Sequence, residues 1–383
     1  MREKWRPGSS HRMAAPVALL FIARALSAQQ VPASDTVASY PSFKLAARLH
    51  FQGYFFDNTD YVAAGLGNPG PKSSFHTRRA RIEITGKLSQ YVSFVVQPSF
   101  ENGAGREPNL RLRDAFIELG LGQFQLPSLK LRFGQEKRPF GRYELLSANN
   151  LPSIERGAGR GLLAQGSNNL FERSGFLSHD VGVSVMAKVG AKSTAQAGVY
   201  NGTGESFNDT NNAKSFGLRV TSAVASKLNL GASYFSHDGV MAQPQLAPAS
   251  PNTPDSSFRN NAFGFDGSWG RPGNSGFFAV ADYMRGEAFT TASPTISGLS
   301  IVTAYQFRLA SPQSHLYAIE PALRFDHADP DSDAKDDAST LVTAVLGLYL
   351  NSTTVLRVAY ERQDFEGGGP MVAGVRMAMN VSF

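Results

Sequence analysis

Basic residues set at every second position are the chemistry-bearing feature of this chain. In Phe75–Leu88, Arg79, Arg81, Glu83 and Lys87 share one parity, and Ala80, Ile82, Ile84 and Leu88 share the other. In Leu129–Lys137, Lys130, Arg132 and Glu136 oppose Leu129, Leu131 and Phe133. In Phe43–Phe55, Lys44, Arg48, His50 and Gln52 oppose Phe43, Leu45, Ala47, Leu49 and Phe51. A period of two sends successive side chains to opposite faces of a strand. These strands are greasy on one face and cationic on the other, which suits a wall with lipid outside and an anion path inside. Arginine presents a planar fork of donors that matches phosphate oxygens. Several such groups in series, each weak enough to release its ion, let a dehydrated anion pass. The competing chemistry is wall stiffening, with inward arginines paired to Glu83, Asp114, Glu118 and Glu136.

The elements around these residues follow the same rhythm. Val92–Glu101 faces Val92, Phe94, Val96 and Phe100 outward. Leu110–Gly120 faces Ala115, Ile117 and Leu119 outward, and Asp114, Phe116 and Glu118 inward. Strict alternation turns Arg111 and Arg113 outward too, which assigns them to the rim above the lipid unless a bulge resets the parity. About forty residues then separate Lys137 from His179. This connection carries Arg138, Arg142, Arg156, Arg160 and Arg173 among Phe140, Tyr143, Leu145, Leu146, Leu162, Leu163 and Phe171. Long irregular loops are functional or disordered, and this mixture is expected to fold back into a lumen. Arg138-Pro139-Phe140-Gly141 is either part of a constriction or the turn that ends the strand, and Pro139 and Gly141 read as the turn.

Eleven further candidate strands run from Asp180 to Phe383, for a total of sixteen. Short turns alternate with long polar loops, so both chain ends fall on the short-turn edge, as in an outer-membrane barrel. The last strand, Met371–Phe383, presents one unbroken apolar face and ends on Phe383. Such a terminus resembles the signature read by the barrel assembly machinery of the outer membrane.

Composition agrees. Mean hydropathy is −0.21, and no apolar run reaches the ~18–20 residues a spanning helix needs. With no cysteine, disulfides and thiolate metal sites are excluded. Residues 1–28 read as a secretory signal peptide: Arg2, Lys4, Arg6 and Arg12 precede the apolar Met13–Ala23, and Ala25-Leu26-Ser27-Ala28 offers a cleavage site. Residues 29–42 read as a periplasmic linker and 43–383 as the barrel. Without the leader the formal charge falls from +6 to +2. That charge is uneven: Lys72–Arg173 holds 16 basic against 9 acidic residues, and Leu230–Thr340 holds 6 against 12.

The order and spacing of several motifs from Phe75 to Gly182 resemble the phosphate-selective porin O and P family. They are Arg78-Arg79-Ala80-Arg81-Ile82 with Gly86-Lys87-Leu88, Arg113-Asp114-Ala115-Phe116-Ile117, Leu131 through Gly141, Phe171-Glu172-Arg173-Ser174 and Asp180-Val181-Gly182-Val183. The resemblance implies a transmembrane antiparallel β-barrel of sixteen strands, associated as a homotrimer, with a loop after the fifth strand that narrows the pore. It makes Arg79, Arg81, Arg132, Lys137, Arg138 and Arg142 candidates for the anion path. Parity adds Arg48, and the loop adds Arg156. The chain departs from the family in one respect: its constriction loop has arginine but no lysine beyond Lys137.

Other chemistries lack their residues. No Gly-x-Ser-x-Gly elbow or His-Glu-x-x-His motif occurs, so an enzyme is not expected. Gly157-Ala158-Gly159-Arg160-Gly161 lacks the strand-then-helix context of a phosphate-binding loop. Asp329–Asp337 lacks the EF-hand glycine and glutamate and reads as a solvated loop able to contact lipopolysaccharide through divalent ions. A nucleic-acid module does not explain the lipid-facing stripes. The sequence therefore reads as a passive outer-membrane channel for small anions, with phosphate or polyphosphate first and no cofactor. A general-diffusion or other-solute porin, or a plugged structural or adhesive barrel, is the alternative.

Overall fold

The computed structural model describes residues 39–57, 73–101, 109–156, 170–205, 209, 211–240, 257–290, 292–309, 315–369 and 371–383. The leader, most of the 29–42 linker, Arg160, Leu162, Leu163 and the Gly157–Gly161 run lie outside the described residues.

Sixteen strands follow one another around a ring. They are β1 (Ser42–Asp57), β2 (Ser73–Lys87), β3 (Val92–Glu101), β4 (Asn109–Gly120), β5 (Leu129–Lys137), β6 (His179–Val189), β7 (Ser193–Tyr200) and β8 (Ser215–Ala223), then β9 (Leu228–Val240), β10 (Ser257–Trp269), β11 (Gly276–Glu287), β12 (Thr295–Arg308), β13 (Ala318–Asp329), β14 (Ser339–Tyr349), β15 (Thr354–Phe365) and β16 (Met371–Ser382). Each pairs antiparallel with its neighbours in sequence, and β16 pairs back onto β1. Closure removes the exposed edges that lipid cannot hydrogen-bond. At the seam, Ala47 N donates to Phe383 O at 2.7 Å and Phe383 N donates to Ala47 O at 3.0 Å. The C-terminal residue thus helps to close the ring.

The barrel is apolar outside and polar inside. Leu45 is 73% exposed, whereas His50 and Gln52 on the other face of β1 are each 1% exposed. Phe263, Phe265, Leu323 and Tyr360 are exposed on later strands, while Arg219, Arg324, Arg357 and Arg376 are buried within the bore. An exposed belt of large apolar side chains around a charged interior has no reason to exist in water. It is the arrangement of a wall bathed by lipid.

One sector of the bore breaks the polar rule. Phe278, Val280, Val302, Ala304, Ala322, Val345, Ala359 and Ala378, on β11 through β16, are buried around Tyr143, Leu146, Leu151 and Ile154 of the β5–β6 connection. An apolar stripe on the inner wall of a water-filled barrel needs a cover, and the loop supplies it.

Candidate functional site

Two β-bulges shape the basic wall. Between β1 and β2, His50 faces Arg79 and Phe51 faces Thr77, so Arg78 is one residue too many. Between β3 and β4, Val96 faces Ala115 and Pro98 faces Leu112, so Arg113 and Asp114 together oppose the single residue Gln97. Each extra residue resets the alternation behind it. Arg78 joins Arg79 in the lumen, and Arg113 joins Asp114. The assignment of Arg113 to the rim is thereby overturned: its guanidinium reaches Glu101 at 2.6 Å and also pairs with Glu205. Arg111, exposed at the loop end of the strand, regains inward parity: it faces the buried Ser99 and lies between the outward Leu110 and Leu112. The β4 bulge is held from β5, where Gln135 donates to the carbonyls of Leu112 and Arg113. Gly134 beside it has φ +126°, and a Cβ there would collide with the Ala115 carbonyl. That accounts for the glycine in Phe133-Gly134-Gln135.

Parity alone missed Arg78. The signal was present in Arg78-Arg79 and Arg113-Asp114. Two adjacent charges in a spanning strand cannot both face inward without a bulge. Leaving an arginine in lipid costs about 2–4 kcal/mol at the midplane.

The β5–β6 connection folds inward, as its composition predicts. It contains two short helices, α1 (Arg142–Leu145) and α2 (Leu170–Arg173). At its root, Arg138 donates to Asp180 Oδ2 at 2.8 and 3.1 Å and to the carbonyls of Gly175 and Leu177. On the far wall, Asp282 of β11 accepts from the backbone N–H groups of Arg142 and Tyr143 at 3.0 and 2.7 Å. The loop then crosses back. Asn149 Oδ1 lies 3.1 Å from His50 Nε2, and Glu155 meets Arg78 and Arg79 of β2 at 2.8 and 3.1 Å.

A cavity of about 460 Å³ remains between this loop and the basic wall. The wall contributes Arg48, Arg78, Arg79, Arg81, Arg113 and Arg132; Lys137 and Arg156 lie toward the loop, with Glu144, Leu145, Leu146 and Glu172. Of the eight sequence-predicted site residues, six therefore line one space. The other two do not. Arg138 is a buried anchor, 5% exposed at its side chain, held by Asp180 and stacked within 5.5 Å of the Phe235 ring. Arg142 sits behind the loop, where its charged neighbours are Arg219, Asp266 and Asp282; among the described residues it makes no ion pair. Their charge suits an anion path, but the loop's route sets both outside this cavity.

The cationic groups are not bare. Arg48 pairs with Glu83 at 2.9 Å, Arg81 with Glu101, and Arg132 with Glu118 and Glu136 at 2.8 and 2.6 Å. Lys137 and Arg156 each lie 3.6 Å from a Glu144 oxygen, and Lys137 also donates to the Glu144 and Leu146 carbonyls. Eight cationic side chains and five carboxylates line the cavity. Glu101, Glu118, Glu155 and Glu205 stand behind them as partners. The same guanidinium groups thus line the cavity and pair along the wall.

The loop carboxylates divide by environment. Burial opposes ionisation of Glu155 and Glu144, but Arg78 and Arg79 hold the first well below the usual carboxylate range, and Lys137 and Arg156 lower the second. At Glu172 the balance tips the other way, because the pull of Arg113 and Arg78 is the smaller effect. Burial, then the charge of Glu144, pushes it up to about 7. Its raised value favours the folded loop below the ordinary carboxylate range, and that contribution is lost as pH rises through about 7. Ionisation also adds a negative charge to the cavity lining. The ratio of anion to cation permeability is expected to fall between pH 6 and 8 with a midpoint near 7. Glu172→Gln should flatten that profile, read as reversal potential in a KCl gradient.

A cationic lumen wall, an inward loop after β5 and a closed sixteen-stranded barrel now stand together. Residues 45–264 match the family phosphate-selective porin O and P. The chain belongs to this family. It is an outer-membrane porin of a bacterial cell, and the family and barrel are those of a channel rather than an enzyme. No curated protein matches the sequence. Solved porins share the fold at low identity. The anion-selective porin from Comamonas acidovorans is 11% identical with a TM-score of 0.59, over 90% of this chain and 100% of that one. OmpT of Vibrio cholerae in its trimer form is 13% identical with a TM-score of 0.57, over 90% and 100%. OmpF of Salmonella typhi, in complex with daunomycin, is 10% identical with a TM-score of 0.54, over 89% and 97%.

Proposed function

We propose that this porin passes small anions passively, with inorganic phosphate its leading substrate. The observation that carries the reading is the convergence of Arg48, Arg78, Arg79, Arg81, Arg113 and Arg132 on one cavity, two of them brought there by bulges. A strand spends a bulge, and the ladder bonds it disrupts, where a side chain must be re-aimed. Here both re-aim arginine toward the path. Guanidinium forks match phosphate oxygens in pairs, and their carboxylate partners keep each site weak enough for the ion to leave.

The pairing also favours a second reading, a general-diffusion porin with little selectivity, because partnered charges cast a smaller net field. Planar-bilayer recording separates the two. An anion channel gives a reversal potential of anion sign in a KCl gradient, and phosphate at micromolar to millimolar concentration reduces its chloride current. A reversal potential near zero, without phosphate inhibition, decides for general diffusion. A barrel that gives no conductance steps at all is a plug.

The trimeric OmpT form and the family support a homotrimer in the membrane. Phe383 at the seam suits recognition by the assembly machinery, and residues 1–28 suit export with cleavage after Ala28. Mass measurement of the mature protein tests the cleavage.

A further inference from the structure

Glu155 is gripped more completely than a loop anchor requires. Its Oε1 accepts from Gln52 Nε2 at 2.7 Å and Arg78 Nε at 2.8 Å, and its Oε2 accepts from Arg78 Nη2 at 3.2 Å and Arg79 Nη2 at 3.1 Å. All four donors belong to the wall, on β1 and the β2 bulge, and the carboxylate is delivered from the loop. Such a set of donors around one oxyanion is what a phosphate or carboxylate ligand receives in a built site. Arg78 and Arg79 also line the 460 Å³ cavity, so the cradle adjoins the path.

The loop has other holds nearby. Arg324 of β13 donates to the Glu155 carbonyl, Asn149 meets His50, and Leu151 and Ile154 pack on the far wall. Neutralising the Glu155 side chain therefore leaves the loop docked and the wall donors in place.

We propose that Gln52, Arg78 and Arg79 form an oxyanion site for inorganic phosphate, and that Glu155 occupies it as a tethered competitor. The inference rests on the anion-path reading and adds to it a brake: the loop's own carboxylate limits how tightly the path holds phosphate. A tethered group competes at an effective concentration on the order of millimolar. Removing it takes from Arg78 and Arg79 their nearest counter-charge, Arg78 keeping Glu101 at 4.0 Å, and leaves an anion within reach.

The test is phosphate block of chloride current through the full-length porin in planar bilayers. Glu155→Gln is expected to lower the phosphate concentration that halves the current by at least about tenfold. Adding Arg78→Ala to it should restore the wild-type value. Glu320→Gln removes one lumen charge at a distance, keeps its acceptor for Tyr349, and is expected to shift the block less than about twofold. Equal shifts in Glu155→Gln and Glu320→Gln, or none in either, would overturn the cradle. If Glu155→Gln does not insert, Glu155→Asp withdraws the carboxylate by one methylene and keeps its charge; tighter block supports the proposal and wild-type block overturns it. Failure of the anion reading shows separately, as a cation-sign reversal potential in the unmodified protein.

Discussion

Replacing Arg79, Arg81 and Arg132 together with glutamine is expected to reverse the sign of ion selectivity. Eight cationic side chains and five carboxylates line the cavity. The triple change leaves five against five in the lining, and Glu155, Glu101, Glu118 and Glu136 lose partners at the wall. A unit charge about 5 Å from the ion contributes ~3 kcal/mol at an effective dielectric of 20. A tenfold change in preference needs only about 1.4 kcal/mol, so three such charges exceed it even after screening. The reversal potential in a KCl gradient should cross zero. A value unchanged from wild type would remove these three arginines from the conduction path.

Arg138→Ala is expected to be the most damaging single change in the loop. Asp180, 0% exposed, would lose its only guanidinium partner among the described residues, and the Gly175 and Leu177 carbonyls would lose a donor. Breaking a buried, hydrogen-bonded ion pair from one side costs about 3–5 kcal/mol. The damage has a functional signature, because Arg138 sits where the loop leaves β5. Freed at its root, the loop should fluctuate, and single-channel records should show larger and noisier conductance. Unfolding by denaturant in detergent measures the first effect and bilayer recording the second. A loss below about 1 kcal/mol with quiet, wild-type steps would mean that the Asp282 and apolar contacts hold the loop without it.

The arginines divide into those that alternation could place and those it could not. Arg48, Arg79, Arg81 and Arg132 lie in stretches where period two runs unbroken, and the lumen holds all four. Arg78 and Arg113 lie at bulges, which are set by the register of neighbouring strands. Arg138 and Arg142 lie in irregular backbone, where no periodicity says which way a side chain points. Their roles came from contacts with Asp180 and with the backbone's own bond to Asp282, partners forty or more positions away in sequence.

The closed sixteen-stranded barrel, its lipid-facing stripe, its inward loop and its family are all legible along the chain. Each of these follows from local pattern: alternation, turn spacing and a mixed apolar and basic connection. Which cations line the cavity, and which carboxylates meet them, depends on the folded ring. Ring closure brings β2, β4, β5 and the returning loop around one cavity, and charge pairing depends on that proximity rather than on spacing along the chain.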